Sequence, residues 1–259
     1  MYENLLKLIE TVKTLRSPNG CEWDKAQTHK SLKQNFIEET YEALEAIDEN
    51  NMAHLREELG DVLLQVLLHS QIADDENAFD IDDVAKELNE KLIRRHPHVF
   101  GDTKVKNTDE ILANWEEIKK KEKKERKSVM DGIPIYLPAL MQAYKISKKA
   151  VKVGFEWDCV ESLKECINSE MKEFEQAVHN NDTKNMEEEM GDLLFAIVNL
   201  SRWYKINPEL ALNLANKKFM KRFKKMEELA EKDLTEYSFE EYDKLWKQAK
   251  KKLQEDKLK

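Results

Sequence analysis

Acidic residues three positions apart lie beside the most apolar segment of the chain. The stretch REELGDVLL places Glu58 and Asp61 on either side of a glycine. The stretch EETYE places Glu39 and Glu42 at the same spacing, with Glu42 sixteen residues before Glu58. Residues three apart on a helix occupy neighbouring positions. If the two stretches form adjacent antiparallel helices, the four carboxylates surround one space.

Carboxylates crowded in this way repel one another. Two like charges about 4 Å apart cost on the order of 4 kcal/mol at the effective dielectric of a protein surface. Bound protons, basic partners or a metal ion must offset that repulsion. Hard divalent cations take oxygen ligands, and Mg²⁺ also shares substrate phosphates. We therefore predict a Mg²⁺ site, with Mn²⁺ as a substitute.

Other metal chemistries fit the sequence less well. A ferritin-like di-iron site requires Glu-x-x-His, and none of the six histidines has Glu three positions before it. The acid clusters contain neither His nor Cys, which disfavours zinc.

The second half of the chain repeats the first. GCEWD returns as GFEWD, EELGDVLLQV as EEMGDLLFAI, NEKLIRR as NKKFMKR, and NWEEIKKK as LWKQAKKK, in the same order. Both acid pairs return, as Glu170 with Glu173 and as Glu189 with Asp192, again sixteen residues from Glu173 to Glu189. This ordered repetition indicates an internal duplication, and it strengthens the metal-site hypothesis because surface acids would not keep their spacing.

The elements that position these acids are predicted to be helices. The chain of 259 residues has only 6 Gly and 5 Pro, whereas strands and tight turns need more of both. We expect an all-α fold with two four-helix-bundle-type units, at residues 1–126 and 138–259, joined by a linker at 127–137. In the first unit we predict helices at about 3–15, 32–50, 52–76, 81–95 and 108–126. Asp80 and Thr108 are expected to be N-caps.

Charge and hydropathy exclude several classes of partner. The formal charge of −9 disfavours nucleic acid. No apolar run approaches the roughly 20 residues of a membrane span, and the N-terminal stretch has no signal-peptide pattern. Three cysteines without C-x-x-C spacing fit a reducing compartment, so a cytoplasmic location is expected.

Basic residues at helical spacing could hold phosphate near the metal. Lys91 and Arg95 are four apart, and so are their counterparts Lys218 and Arg222. Metal-binding acids with a Lys/Arg pair suit hydrolysis of a nucleotide phosphoanhydride.

At these residues the sequence resembles the MazG family of nucleoside triphosphate pyrophosphohydrolases, from about residue 5 to residue 250. The family motif E-E-x-x-E followed by E-x-x-D appears as EETYE with ELGD, and again as SEMKE with EMGD. The resemblance implies Mg²⁺-dependent conversion of a nucleoside triphosphate to the monophosphate and pyrophosphate by a helical homodimer. It also suggests broad-specificity house-cleaning of the nucleotide pool.

The resemblance also implies roles for individual residues. The Mg²⁺ ligands would be Glu39, Glu42, Glu58 and Asp61, with Glu170, Glu173, Glu189 and Asp192 in the second unit. Auxiliary catalytic acids that order water or a second ion would be Glu38, Glu57 and Glu188. Substrate would be bound by Lys91, Arg95, Trp115, Lys218, Arg222 and Trp246.

The second unit departs from the motif at its first acid, which is Ser169. In some family members the C-terminal copy is the catalytic one, but here the first unit has the complete motif. We therefore expect activity in the first unit and in the second as well.

Two alternative functions remain open at this point. One is a phosphodiesterase or another nucleotide hydrolase on the same bundle, and product analysis separates these. The other is a nucleotide sensor, which would bind a nucleoside triphosphate with Mg²⁺ and release it unchanged.

Overall fold

The computed structural model describes residues 2–122 and 127–255, and every regular element in these ranges is helical. The predicted all-α fold class is therefore confirmed. No helix in the described part of the chain is long and apolar enough to cross a membrane.

The chain divides into two compact units, with the division between residues 124 and 125. The helices of the first unit are α1 (Glu3–Arg16), α2 (Glu22–Ala26), α3 (Lys33–Asp48), α4 (Met52–Asp75), α5 (Ile81–Arg95), α6 (Pro97–Phe100) and α7 (Thr108–Glu122). The end of the helix predicted at 108–126 lies outside the described residues.

The second unit contains α8 (Ala139–Val151), α9 (Val160–His179), α10 (Thr183–Trp203), α11 (Pro208–Leu229) and α12 (Phe239–Glu255), with a 3-10 turn at Leu234–Glu236. The segment predicted as a linker, 127–137, contains no helix. Its first residues are attached to α8, because Lys149 Nζ donates to the backbone oxygens of Val129 and Asp131 at 2.6 and 2.7 Å. The exact domain boundaries stay a prediction.

The apolar half of α4 forms the centre of the first unit. Val12, Leu32, Leu67, Leu68 and Ile72 are buried together, so α1 and the start of α3 pack on α4. Complete burial of a side chain of this size stabilises a fold by roughly 1.5–3 kcal/mol. This cluster fixes α4, and with it the acids in its first half.

The same turn joins the two acid-bearing helices of each unit. Asn50 and Asn181 have positive φ angles of 53° and 52°. The next residues, Asn51 and Asp182, begin the following helix and accept hydrogen bonds from its backbone N–H groups. The N–H of Asn51 also bonds to the carbonyl of Ala46, as in a Schellman motif. A tight connection of this type makes the paired helices antiparallel.

One of the two predicted helix caps is correct. Asp80 forms a capping box with Asp83 at the start of α5. The prediction of Thr108 as a cap is wrong, since Thr108 is the first residue of α7. The side chain of Asn107 accepts the N–H of Glu110 at 2.9 Å instead. Asn is a stronger N-cap than Thr, which explains the shift by one residue.

Candidate metal and nucleotide site

The α3–α4 hairpin brings the predicted metal ligands of the first unit together. Carboxylate oxygens of Glu39, Glu58 and Asp61 lie within 4.8 Å of one another. Glu42 is more exposed, and its carboxylate interacts with that of Glu58. The four acids therefore face one space, with Glu58 as the buried member at 7% exposure.

The α9–α10 hairpin repeats this arrangement in the second unit. Here the three acids within 4.8 Å are Glu170, Glu173 and Glu189. Asp192 is exposed but close enough for its charge to act on Glu189. The two clusters differ in which acid lies outside the group of three: Glu42 in the first unit and Asp192 in the second.

Burial and mutual repulsion disfavour ionisation in both clusters. Burial is the first cause that raises the pKa of Glu39, followed by the charges of Asp61 and Glu42. Burial and then the Glu173 charge raise the pKa of Glu189. Such shifts identify crowded carboxylates that a cation would stabilise in the charged form.

An unsatisfied buried atom shows that the first cluster fits a cation. Glu58 Oε1 lies 3.0 Å from His54 Nε2, but its other oxygen, Oε2, is buried without a hydrogen-bond partner. A buried carboxylate oxygen without a donor is costly unless a cation neutralises it. An all-oxygen set of this charge suits Mg²⁺ or Mn²⁺ rather than a softer metal.

The predicted auxiliary acids lie at the rims of the clusters. Glu38, Glu57 and Glu188 are all exposed. Glu38 accepts a hydrogen bond from Gln34 and contributes to the raised pKa of Glu39. In the second unit Ser169 instead donates to Glu173 Oε1 at 2.9 Å.

The predicted phosphate and base ligands of the first unit lie on α5 and α7 rather than on the acid-bearing helices. Arg95 is held by Glu122, with Nη2 2.6 Å from Oε2, whereas Lys91 is half-buried. Trp115 lies below Lys119, whose Nζ is 4.2 Å from the ring centroid. The Trp115 Nε1 atom is buried without a partner.

The counterparts in the second unit lie on α11 and α12. Arg222 is 5.8 Å from the Trp246 ring centroid, and Phe219 is 5.1 Å from it. Trp246 also packs against the buried Met226 and Leu245. Lys218 is exposed. Within each unit, the predicted basic and aromatic ligands therefore lie on one pair of helices, and the acids lie on another pair.

The two helical glycines next to the acids leave open space. A Cβ atom placed on Gly60 or on Gly191 would meet nothing within 4 Å. No backbone of the described chain approaches either glycine. Each acid cluster therefore has open space beside its glycine.

A cavity of about 310 Å³ lies beside the second acid cluster. Its polar lining residues are Ser147, Glu156, Cys166, Glu170, Asp192 and Asn199. Apolar side chains complete the wall, among them Ile146, Ala150, Phe155, Trp157, Phe195 and Ala196. Mostly apolar walls with a few polar groups are typical of small-molecule sites.

Sequence reasoning missed most of this cavity. Trp157 lines the cavity and lies in the G-x-E-W-D block that both halves of the chain share. In the first unit, Gln65 and Leu68 occupy the positions in α4 that Ala196 and Asn199 occupy in α10. Both are buried, at 4% and 2% exposure. The corresponding positions of the first unit therefore lie in its packed interior.

Comparison with known protein families supports the assignment of the two acid clusters as functional sites. The model of the MazG nucleotide pyrophosphohydrolase domain matches residues 27–100 and again 159–227, which contain the two acid clusters.

Two relatives that align over nearly their full length are named as nucleoside triphosphate pyrophosphohydrolases, and a third relative is uncharacterized. A Thermotoga maritima protein named nucleoside triphosphate pyrophosphohydrolase/pyrophosphatase MazG is 51% identical over 254 residues, 96% of each chain. An Escherichia coli K12 protein named nucleoside triphosphate pyrophosphohydrolase is 43% identical over 255 residues, 95% of this chain and 96% of the relative. An uncharacterized Bacillus subtilis protein, YabN, is 52% identical over 96% of this chain and 52% of its own length.

The helical fold, the duplicated acid clusters and these matches together define an all-α nucleotide pyrophosphohydrolase. Among such enzymes, the chain belongs to the MazG family.

Proposed function

We propose that this chain hydrolyses nucleoside and deoxynucleoside triphosphates to the monophosphates and pyrophosphate, in a Mg²⁺-dependent reaction with broad base specificity. The observation that carries the proposal is the pair of acid clusters, each formed by an E-x-x-E and an E-x-x-D turn. The names of the Thermotoga and Escherichia relatives support the same activity.

The metal ligands in this proposal are the eight acids of the two clusters. Glu39, Glu42, Glu58 and Asp61 would hold the ion in the first unit, and Glu170, Glu173, Glu189 and Asp192 in the second. Bound Mg²⁺ would supply Lewis-acid stabilisation of the charge on the triphosphate oxygens.

The protein side chains would handle water and phosphate. A carboxylate of Glu38 or Glu57, or of Glu188 in the second unit, orders a water molecule and accepts its proton as the water oxygen attacks the α-phosphorus. The bond from the α-phosphorus to the bridging oxygen breaks, and pyrophosphate leaves. Lys91 with Arg95, or Lys218 with Arg222, balances its charge. Trp115 would contact the base in the first unit, and Trp246 would contact the nucleotide in the second.

Both units are proposed to be active. The first has the complete E-E-x-x-E motif, and the second has a cavity beside its acids. Glu39→Gln and Glu170→Gln test this directly. Comparable losses from the two variants would support two working sites, and a loss from only one would assign the reaction to that unit.

We also propose that the chain forms a homodimer. Along α3, Ile37, Leu44 and Ile47 are 54%, 38% and 53% exposed, and Ile197 on α10 is 44% exposed. A row of exposed apolar side chains on a helix is a typical feature of a protein interface. Light scattering measures the mass of the assembly, and a monomer at micromolar concentration would exclude the dimer.

The first experiment is product analysis. The protein is incubated with each common nucleoside triphosphate and Mg²⁺, beside the Glu58→Gln and Glu189→Gln variants. Formation of monophosphate and pyrophosphate that is lost with EDTA, and in a chain carrying both Glu58→Gln and Glu189→Gln, supports the proposal. Diphosphate with orthophosphate would indicate another hydrolase, and intact bound triphosphate a sensor.

A further inference from the structure

A partly buried polar network connects the wall of the second-unit cavity to α10. The Arg202 guanidinium donates two hydrogen bonds to the carboxylate of Glu156, at 2.6 and 2.5 Å. Its Nε donates to Ser147 Oγ at 2.6 Å. Ser147, only 2% exposed, lies 2.6 Å from Asn199 Oδ1. Glu156, Ser147 and Asn199 all line the cavity.

This network fixes the orientation of the Asn199 amide. The backbone carbonyl of Phe195 only accepts, so the amide atom 3.1 Å from it is Nδ2, and the atom facing Ser147 is Oδ1. Ser147 Oγ accepts from Arg202, which has only donors, and donates its own hydrogen to Asn199 Oδ1. One N–H of Nδ2 and one lone pair of Oδ1 remain for a ligand, in a defined order.

The Asn199 amide and the second acid cluster are separated by a distance that one nucleoside can span. Asp192 and Asn199 both line the cavity and are seven residues apart on α10, about 10 Å at 1.5 Å per residue. That span is comparable to a nucleoside, with the α-phosphate near the acids and the base near the amide. The rings of Phe155 and Trp157 line the same cavity, and such rings accept any base by stacking.

We infer that Asn199 is a specificity-determining residue that distinguishes amino bases from keto bases, and that Arg202 and Ser147 are its positioning residues. Adenine and cytosine present an amino donor beside a ring-nitrogen acceptor. Guanine, hypoxanthine and uracil present a carbonyl acceptor beside a ring N–H donor. An amide of fixed orientation matches only one of these orders. This inference rests on the proposed function and adds a preference to its broad specificity.

The first unit provides a natural contrast. At the positions of Asn199 and Arg202, its α4 helix has Leu68 and Gln71. Leu68 is buried in the core and offers no hydrogen bond. Base discrimination of this kind is thus confined to the second unit.

The test uses substrate pairs that differ only at the group in question: ATP with ITP, and CTP with UTP. All chains carry Glu58→Gln, which silences the first unit. The ratio of kcat/KM within each pair is expected to deviate from one in the same direction for both pairs, by about fivefold or more. Asn199→Leu and Arg202→Gln should bring both ratios close to one. Asn180→Asp, an exposed amide change on the neighbouring helix, should preserve them.

Two results would overturn the inference while the proposed function stands: equal rates within each pair, or unchanged ratios in Asn199→Leu. If the Glu58→Gln chain hydrolyses none of the four nucleotides, the proposed function of the second unit fails. Calorimetric affinities for ATP and ITP, compared between the Glu58→Gln chain and the same chain carrying Asn199→Leu, then decide the inference separately. Circular dichroism melting confirms that each variant is folded.

Discussion

His54 Nε2 lies 3.0 Å from Glu58 Oε1, so the buried carboxylate of the first cluster has an imidazole as its neighbour. Burial and the Glu42 carboxylate raise the pKa of Glu58, and the charge of His54 opposes that rise. The second unit has Asn185 at the position of His54 and therefore lacks this contribution. The two sites, although duplicated, should respond differently to pH.

The variant His54→Asn tests this difference. Without the imidazole, the pKa of Glu58 rises further, so protons compete with Mg²⁺ at higher pH. We expect the acidic limb of the first-unit rate profile to move to higher pH, with a severalfold loss at pH 6 and little change at pH 8. The profile is measured in a Glu189→Gln background. An unchanged acidic limb would show that His54 has no electrostatic role at this site.

Mg²⁺ is expected to stabilise the fold. Because the pKa values of Glu39 and Glu189 are raised above the usual 4.5, the folded metal-free protein binds protons more tightly than the unfolded chain. Its stability should therefore increase as the pH falls from neutral through the raised pKa values. A hundredfold excess of Mg²⁺ over its Kd should raise Tm by roughly 5–10 °C at pH 7, and by less at pH 5.

Calorimetric melts with MgCl₂ measure this shift against NaCl of matched ionic strength. The Glu39→Gln, Glu170→Gln double variant serves as the control and should lose most of it. An equal Tm increase with NaCl would mean that screening, rather than binding, relieves the repulsion.

Glu122 connects α7 to the end of α5 through charge. Arg95 and Arg94 donate hydrogen bonds to its two oxygens, which lowers the pKa of Glu122 to about 2. A lowered pKa contributes stability above the ordinary value of 4.5, and that contribution disappears as the pH falls towards 2. Glu122→Gln should therefore lower Tm by a few degrees at pH 7.

The difference in Tm between wild type and Glu122→Gln should shrink as the pH falls from 4.5 towards 2, the range given by the Glu122 pKa. Glu117→Gln, an exposed change on the same helix, should leave Tm unchanged at every pH. A Tm difference that is independent of pH would indicate that Glu122 acts through packing rather than through its charge.

The helices and the acid clusters could be predicted because their determinants are local. The scarcity of Gly and Pro favours helix, and i,i+3 spacing places Glu58 and Asp61 on one face. Because the acid pairs recur at the same spacing in the second half of the chain, the sequence predicts the same site in both units.

The cavity could not be predicted, because it depends on residues far apart in sequence. Ser147 on α8, Glu156 in the loop after it, and Arg202 on α10 meet only in the folded unit. The ion pair of Arg95 could not be predicted for the same reason. Its partner, Glu122, lies on the next long helix, and nothing in the sequence of α5 indicates this contact.

The left-handed turn residues that align the acid-bearing helices provide a last test. Asn50 and Asn181 have φ angles of 53° and 52°, a conformation in which a β-carbon is strained and in which Asn and Gly are favoured. Replacing either by Ala should cost about 1 kcal/mol, because the helix end must keep this angle for Asn51 or Asp182 to cap the next helix. Replacement by Gly should be close to neutral. Urea unfolding of the four single variants measures these changes, with Asn180→Ala as a control at a residue of ordinary φ. If the Ala and Gly variants were equally stable, the turn would not be strained, and another feature would have to hold the two helices antiparallel.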